Sequence, residues 1–181
     1  MILHRFHACL RVLPAAVALF AGTACADIQQ EIQVLARQGN YPAALQKLDA
    51  ALGQSPKDAS LLFLRGVLLA DSGRKAEAVA QYERVIEQFP ELPEAYNNLA
   101  ALTAASGQYD RARWALESAL RADPNYALAQ ENLGDLYLRM AALAYEKAGR
   151  MAPERQPLQN KLQQLRTLDA AHPPAAAQPK N

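Results

Sequence analysis

The sequence has two cysteines, and both, Cys9 and Cys25, lie before Asp27 in a chain of 181 residues. Everything downstream lacks a thiol, so the disulfide framework that staples many small secreted domains has no residues to build it. Histidine is nearly as scarce, with only His172 beyond Ala26. The serines of that region, Ser55, Ser60, Ser72, Ser106 and Ser118, stand beside no plausible base. No HExxH, CxxC, GxGxxG or P-loop spacing occurs, so the usual nucleophiles, metal ligands and phosphate cradles are missing. These absences argue against an enzyme, and they call for no metal and no cofactor.

A long apolar run is also lacking. The run from Val12 to Ala26 is short of the roughly 20 residues a membrane-spanning helix needs. Charge of either sign is not in excess: the whole chain carries +1, and without the segment 1–26 it carries −1, from 17 basic and 18 acidic side chains. That balance argues against a nucleic-acid surface, which needs a concentrated basic patch.

The segment up to Ala26 stands apart from the rest. Arg5 and Arg11 give a basic start, VLPAAVALFAGTA follows, and Ala24-Cys25-Ala26 supplies small residues where a signal peptidase reads. This is the layout of a secretory signal peptide with cleavage after Ala26. It predicts a periplasmic or secreted protein. A rival reading is an envelope lipoprotein anchored at Cys25, because Gly22-Thr23-Ala24-Cys25 resembles a lipoprotein box, although Gly22 stands where that box normally has Leu. The chain, 51% apolar and 20% charged, has the composition of a globular protein.

What the sequence has in place of catalytic motifs is a period. RQGNYPAALQKL, DSGRKAEAVAQY and ASGQYDRARWAL align with one another. Their glycines are Gly39, Gly73 and Gly107, their alanines Ala44, Ala78 and Ala112, and their closing prolines Pro56, Pro90 and Pro124, all three series advancing by the same interval. Small residues let two antiparallel helices approach, large ones fill the gap, glycine ends the first helix in a left-handed turn, and proline stops the second. One such hairpin cannot bury both faces, so neighbours must stack.

That interval, a 34-residue step, and these residues resemble the tetratricopeptide repeat. Leu62-Phe63-Leu64-Arg65-Gly66 and Tyr96-Asn97-Asn98-Leu99-Ala100 match the family's first helix. Leu48, Tyr82 and Leu116 match its large apolar position in the second helix, and Asp123-Pro124-Asn125 matches its closing turn. The resemblance implies an all-α, right-handed superhelix with first helices lining a concave groove. The expected domain covers 27–170, with repeats 27–58, 59–92 and 93–126, a degenerate unit 127–155 and a capping helix 157–170; the segment 171–181 is expected to be a disordered tail.

The fourth unit starts on schedule with Leu133, Gly134 and Tyr137, and its second helix is present as Ala141, Tyr145 and Ala148. Yet Pro153 follows Pro124 too soon, five places short of the repeat interval. What has been lost is the turn. Leu133, Leu136, Met140, Leu143, Ala144 and Ala148 keep helical spacing across the deletion. The spacing predicts one fused helix over 127–150, roughly 35 Å long at about 1.5 Å per residue. Its stretch from Leu136 to Tyr145 is apolar nearly all round, which predicts burial on every side. Leu158, Leu162, Leu165 and Leu168 form the stripe of a helix that could cover it and cap the stack. The other cover would be a second copy or another protein.

With no catalytic set, the remaining function is binding: a scaffold or adaptor of the bacterial cell envelope that holds a partner protein or peptide. The resemblance places Gln29, Gln33, Arg37, Ser60, Phe63, Val67, Asp71, Glu94, Asn97, Ala101, Ala104, Glu131 and Asp135 on the groove side. Of these, Arg37, Phe63, Val67, Asn97, Ala101, Glu131 and Asp135 are the candidate partner contacts, together with Trp114 on the outer surface. Phe63 and Val67 suit an apolar peptide side chain. Arg37 and Asn97 are the only candidates for the family's carboxylate clamp, too few to make one. Glu131 and Asp135, four apart, read as groove lining more readily than as an acid/base pair. The alternative is a self-associating subunit, a homodimer formed through 136–145 and Trp114.

Overall fold

The computed structural model describes residues 22–171, which form eight helices. These are α1 (Gly22–Arg37), α2 (Tyr41–Gln54), α3 (Ala59–Asp71), α4 (Lys75–Gln88), α5 (Pro93–Ala105), α6 (Tyr109–Ala122), α7 (Ala127–Met151) and α8 (Gln156–Ala171). Most of the predicted export segment, 1–21, and the tail from His172 onward lie outside the described residues. Helix α1 begins at Gly22, inside the expected signal.

Pairs α1–α2, α3–α4 and α5–α6 pack as antiparallel hairpins, and each hairpin packs on the next. The turns within them are copies of one another. Gly39, Gly73 and Gly107 have φ of +74°, +81° and +75°, a region that costs other residues about 1–2 kcal/mol. The following amide then reaches back five places, from Asn40 to Leu35, Arg74 to Leu69 and Gln108 to Thr103, each at 2.9 Å. This closes the free carbonyls of the first helix. Second helices end identically too: the amides of Ser55, Phe89, Asp123 and Ala152 bond to the carbonyls of Ala51, Val85, Ala119 and Ala148. New first helices start from caps such as Asp58, whose Oδ1 accepts from the amides of Ser60 (2.9 Å) and Leu61 (3.1 Å), or from Pro93 in the first turn.

The core is a ladder of alanines and large residues. Ala44, Ala78 and Ala112 are wholly buried, as are Leu48, Tyr82 and Leu116 one turn on. A Cβ built on Gly66 would lie 2.6 Å from Tyr82 Cε1, so the glycine is what lets that ring cross the hairpin. The Tyr82 hydroxyl accepts from Asn98 Nδ2 at 3.1 Å and joins the second repeat to the third. Gln81, also buried, donates through Nε2 to the Leu62 carbonyl at 2.9 Å.

Helix α7 is the fused rod, ending at Met151, just past the expected end at Arg150. It is not buried on every side, however. Its N-terminal half buries Ala129, Asn132, Leu133 and Leu136 against the third repeat. Beyond Met140 it outruns α6, and only one side is covered, by α8: a Cβ on Gly149 would stand 3.2 Å from Leu162 Cδ1, and Lys161 Nζ lies 5.2 Å from the Tyr145 ring centre. Tyr137, Leu138 and Leu143 remain exposed. The reason is geometric: the deleted turn carries the second half of the rod past the hairpin it would have folded onto.

Candidate functional site

The repeat pattern implies that the first helices α1, α3, α5 and α7 line the concave side, with side chains recurring at 34-residue steps. Phe63 and Val67 are half-buried on α3, packed at the margin of the core. Phe63 is fixed from behind by Tyr82, with ring centres 5.8 Å apart and planes tilted by 53°. Phe63 and Val67 therefore form an apolar step, backed at Phe63 by a buried ring.

Two predicted contacts are placed differently. Asn97 is 2% exposed and Ala101 8%; neither faces an incoming partner. Asn132 Nδ2 donates to Asn97 Oδ1 at 2.6 Å, so the amide ties α5 to α7. Ala101 and Ala104 are covered in the same way, because only small residues fit where one first helix lies on the next. At Asn97 and Ala101 the third repeat is thus closed, and the Asn97 oxygen is spent on the fold.

The remaining candidates are accessible. Arg37 is exposed at the end of α1, Glu131 is exposed on α7 and Asp135 is half-buried beside it; both acids make contacts within the chain. Trp114 is 49% exposed on α6, its indole meeting Tyr96 edge-on at 6.1 Å between centres. It lies on the second-helix layer, away from the groove residues.

Glu94, in the first turn of α5, is the groove residue whose weight the sequence did not reveal. Its Oε2 is buried and has no hydrogen-bond partner among the described residues, a condition that most buried polar atoms avoid. Glu131, Asp135 and Asp71, each with a contact inside the chain, lie on the same first-helix layer, and with Arg37 at the far end the acids outnumber the bases among these candidates. Among the described residues no cluster of His, Cys, Asp or Glu could hold a metal ion, and no helix is long and apolar enough to cross a membrane.

Comparisons with known proteins agree with this architecture. Two family models described as tetratricopeptide repeat match residues 30–93 and 81–113. A TPR repeat-containing thioredoxin, TTL4, of Arabidopsis thaliana is 38% identical over 104 residues, 58% of this chain and 15% of that protein. The chain spans about one-seventh of the length of the curated relatives it matches. Among solved structures, MamA (residues 41 to the end) from Desulfovibrio magneticus RS-1 superposes with a TM-score of 0.58 at 25% identity, over 83% of this chain and 88% of that one. YrrB, described as a TPR protein with an unusual peptide-binding site, gives 0.51 at 28% identity over 55% and 52% of the two chains.

Proposed function

Since this chain is a tetratricopeptide-repeat protein, we propose that it is an adaptor that holds a partner's peptide segment in its concave groove. Repeats of this kind are in general non-catalytic protein-binding scaffolds, and the groove residues described above include no nucleophile–base pair. The observation that carries the reading is the buried, unpartnered Oε2 of Glu94, on the same concave layer as Phe63 and Val67. Glu94 as a whole is only half-buried, so a turn of its side chain toward the groove would let a donor from a ligand satisfy that oxygen, while an apolar side chain would cover the Phe63–Val67 step. With acids along the groove, the ligand class is a peptide bearing Lys or Arg next to an apolar residue. YrrB, as a peptide-binding relative, supports the mode. The signal-like layout before Asp27 supports an exported, envelope location for this work.

The test is fluorescence anisotropy with two labelled peptide pools, one pairing Leu with Lys and one pairing Leu with Glu. The Lys pool binds, and Phe63→Ala and Glu94→Gln each weaken it about tenfold, roughly 1.4 kcal/mol, while Trp114→Ala leaves it unchanged. Preference for the Glu pool, or loss on Trp114→Ala alone, contradicts the proposal.

A further inference from the structure

Helix α7 is a hairpin's two helices joined end to end. After its last turn the chain closes as it does after α2, α4 and α6: the Asp58, Leu92 and Tyr126 amides bond to the Ser55, Phe89 and Asp123 carbonyls, and Arg155 bonds to Ala152 in the same way. So 141–151 is a second helix, with Ala141, Tyr145 and Ala148 in the places of Ala112, Leu116 and Ala119, and α8 begins where the next first helix would. The contacts that normally lock such a hairpin are separated, however. Gly66 and Tyr82 correspond to Gly134 and Tyr145, which lie along one rod, about 16 Å apart on its axis. A Cβ on Gly134 meets nothing within 4 Å. Tyr137 is 48% exposed, whereas Leu69 and Thr103, at the same place in their repeats, are 0% and 1%. Both halves of the lock are kept, and one chain cannot close it.

We propose that a second copy of this chain closes it: two α7 rods pair antiparallel, and each lays its 141–151 segment and α8 on the Gly134–Tyr137 face of the other. A two-fold axis between Arg139 and Met140 sets Gly134 against Tyr145 of the other copy, Leu138 against Ala141 and Tyr137 against Ala142. The same patch serves both chains, as a closed two-fold interface requires. Gln130, Gly134, Tyr137, Leu138, Ala141 and Tyr145 share one side of the helix at about 100° per residue, so the interface is continuous. It extends the packing already seen inside the second and third hairpins. Charge agrees as well. The register that sets Asn132 against Asn97 between successive first helices sets Lys161 of one copy against Glu131 of the other. Loss of a turn between two packed helices is a recognised route to such an exchange. The pairing uses Glu131, at the far end of the groove, but not Phe63, Val67 or Glu94, so Phe63→Ala and Glu94→Gln test peptide binding apart from pairing.

Light scattering on the full chain reads the outcome directly: twice the chain mass is expected, and a monomer at micromolar concentration overturns the proposal. Inserting Ser-Gly-Gln-Tyr-Asp, the third repeat's turn, between Arg139 and Met140 restores the repeat interval and is expected to give a monomer; a dimer that survives the insertion is a contradiction. Contact is read in a Cys9→Ser, Cys25→Ser chain carrying Gly134→Cys and Tyr145→Cys, with a bis-maleimide too short to join the two sites along a single rod. Covalent dimers form in the parent and an internal link in the insertion variant. A dimer that fails to crosslink, pairing by some other surface, also overturns it. Should the cysteine variants not fold, the mass of the unmodified chain still decides.

Discussion

Asn132 donates a 2.6 Å hydrogen bond to Asn97, and both amides are buried where α7 crosses α5. Removing one partner leaves the other without its bond in the interior, which costs about 1–3 kcal/mol. Asn132→Ala is therefore expected to lower urea-unfolding stability by that amount. The Asn97→Ala, Asn132→Ala double variant should lose less than the sum of the singles. Additive losses would mean that the pair contributes nothing specific.

Gly66 and Gly53 respond oppositely to the same change. At Gly66 an added methyl runs into the Tyr82 ring, and overpacking of this kind costs about 1–3 kcal/mol. At Gly53, exposed near the end of α2, nothing lies within 4 Å. There Gly53→Ala is expected to gain up to about 1 kcal/mol from helix propensity. Thermal melting of the two variants separates them, and a stable Gly66→Ala would mean the hairpin is looser than the Gly66–Tyr82 approach implies.

Arg74 and Glu77 form a two-bond pair at the start of α4, at 2.7 and 2.6 Å. The hydrogen bond from Arg74 holds the Glu77 carboxyl below its usual range. A depressed folded value means stabilisation that is complete above the unfolded pKa of about 4.3 and is lost as pH falls through the folded value. Both groups are exposed, so the effect is small and screened by salt. The urea midpoint of Glu77→Gln should fall slightly below that of the parent at neutral pH and converge with it in acid. A gap that persists in acid would assign the difference to something other than this pair.

Much of the architecture was legible because each repeat writes the same residues at the same spacing: glycine for the turn, alanine for close approach, proline for the stop. The rod was legible for a simpler reason, that Leu136 to Tyr145 holds nothing able to bend. The groove was harder. Asn97 looks like a ligand contact because its partner, Asn132, lies one place beyond the repeat interval, and the pairing needs two helices to cross before it exists. The repeat pattern puts Glu94 on the groove side, but its unpartnered oxygen has no sequence signal, since it follows from how α5 is seated. Burial of α7 was overestimated because apolar residues report a need for cover without saying what meets it.

The fourth hairpin is straightened into a rod, and a distance within one chain reads this. Spin labels at Gln130→Cys and Glu146→Cys, in a chain with Cys9→Ser and Cys25→Ser and diluted with unlabelled protein, sit near the two ends of α7. A continuous helix predicts about 24 Å between their backbone positions; about 10 Å, the spacing of packed helices, would mean that the chain still folds back on itself and that α7 is no rod.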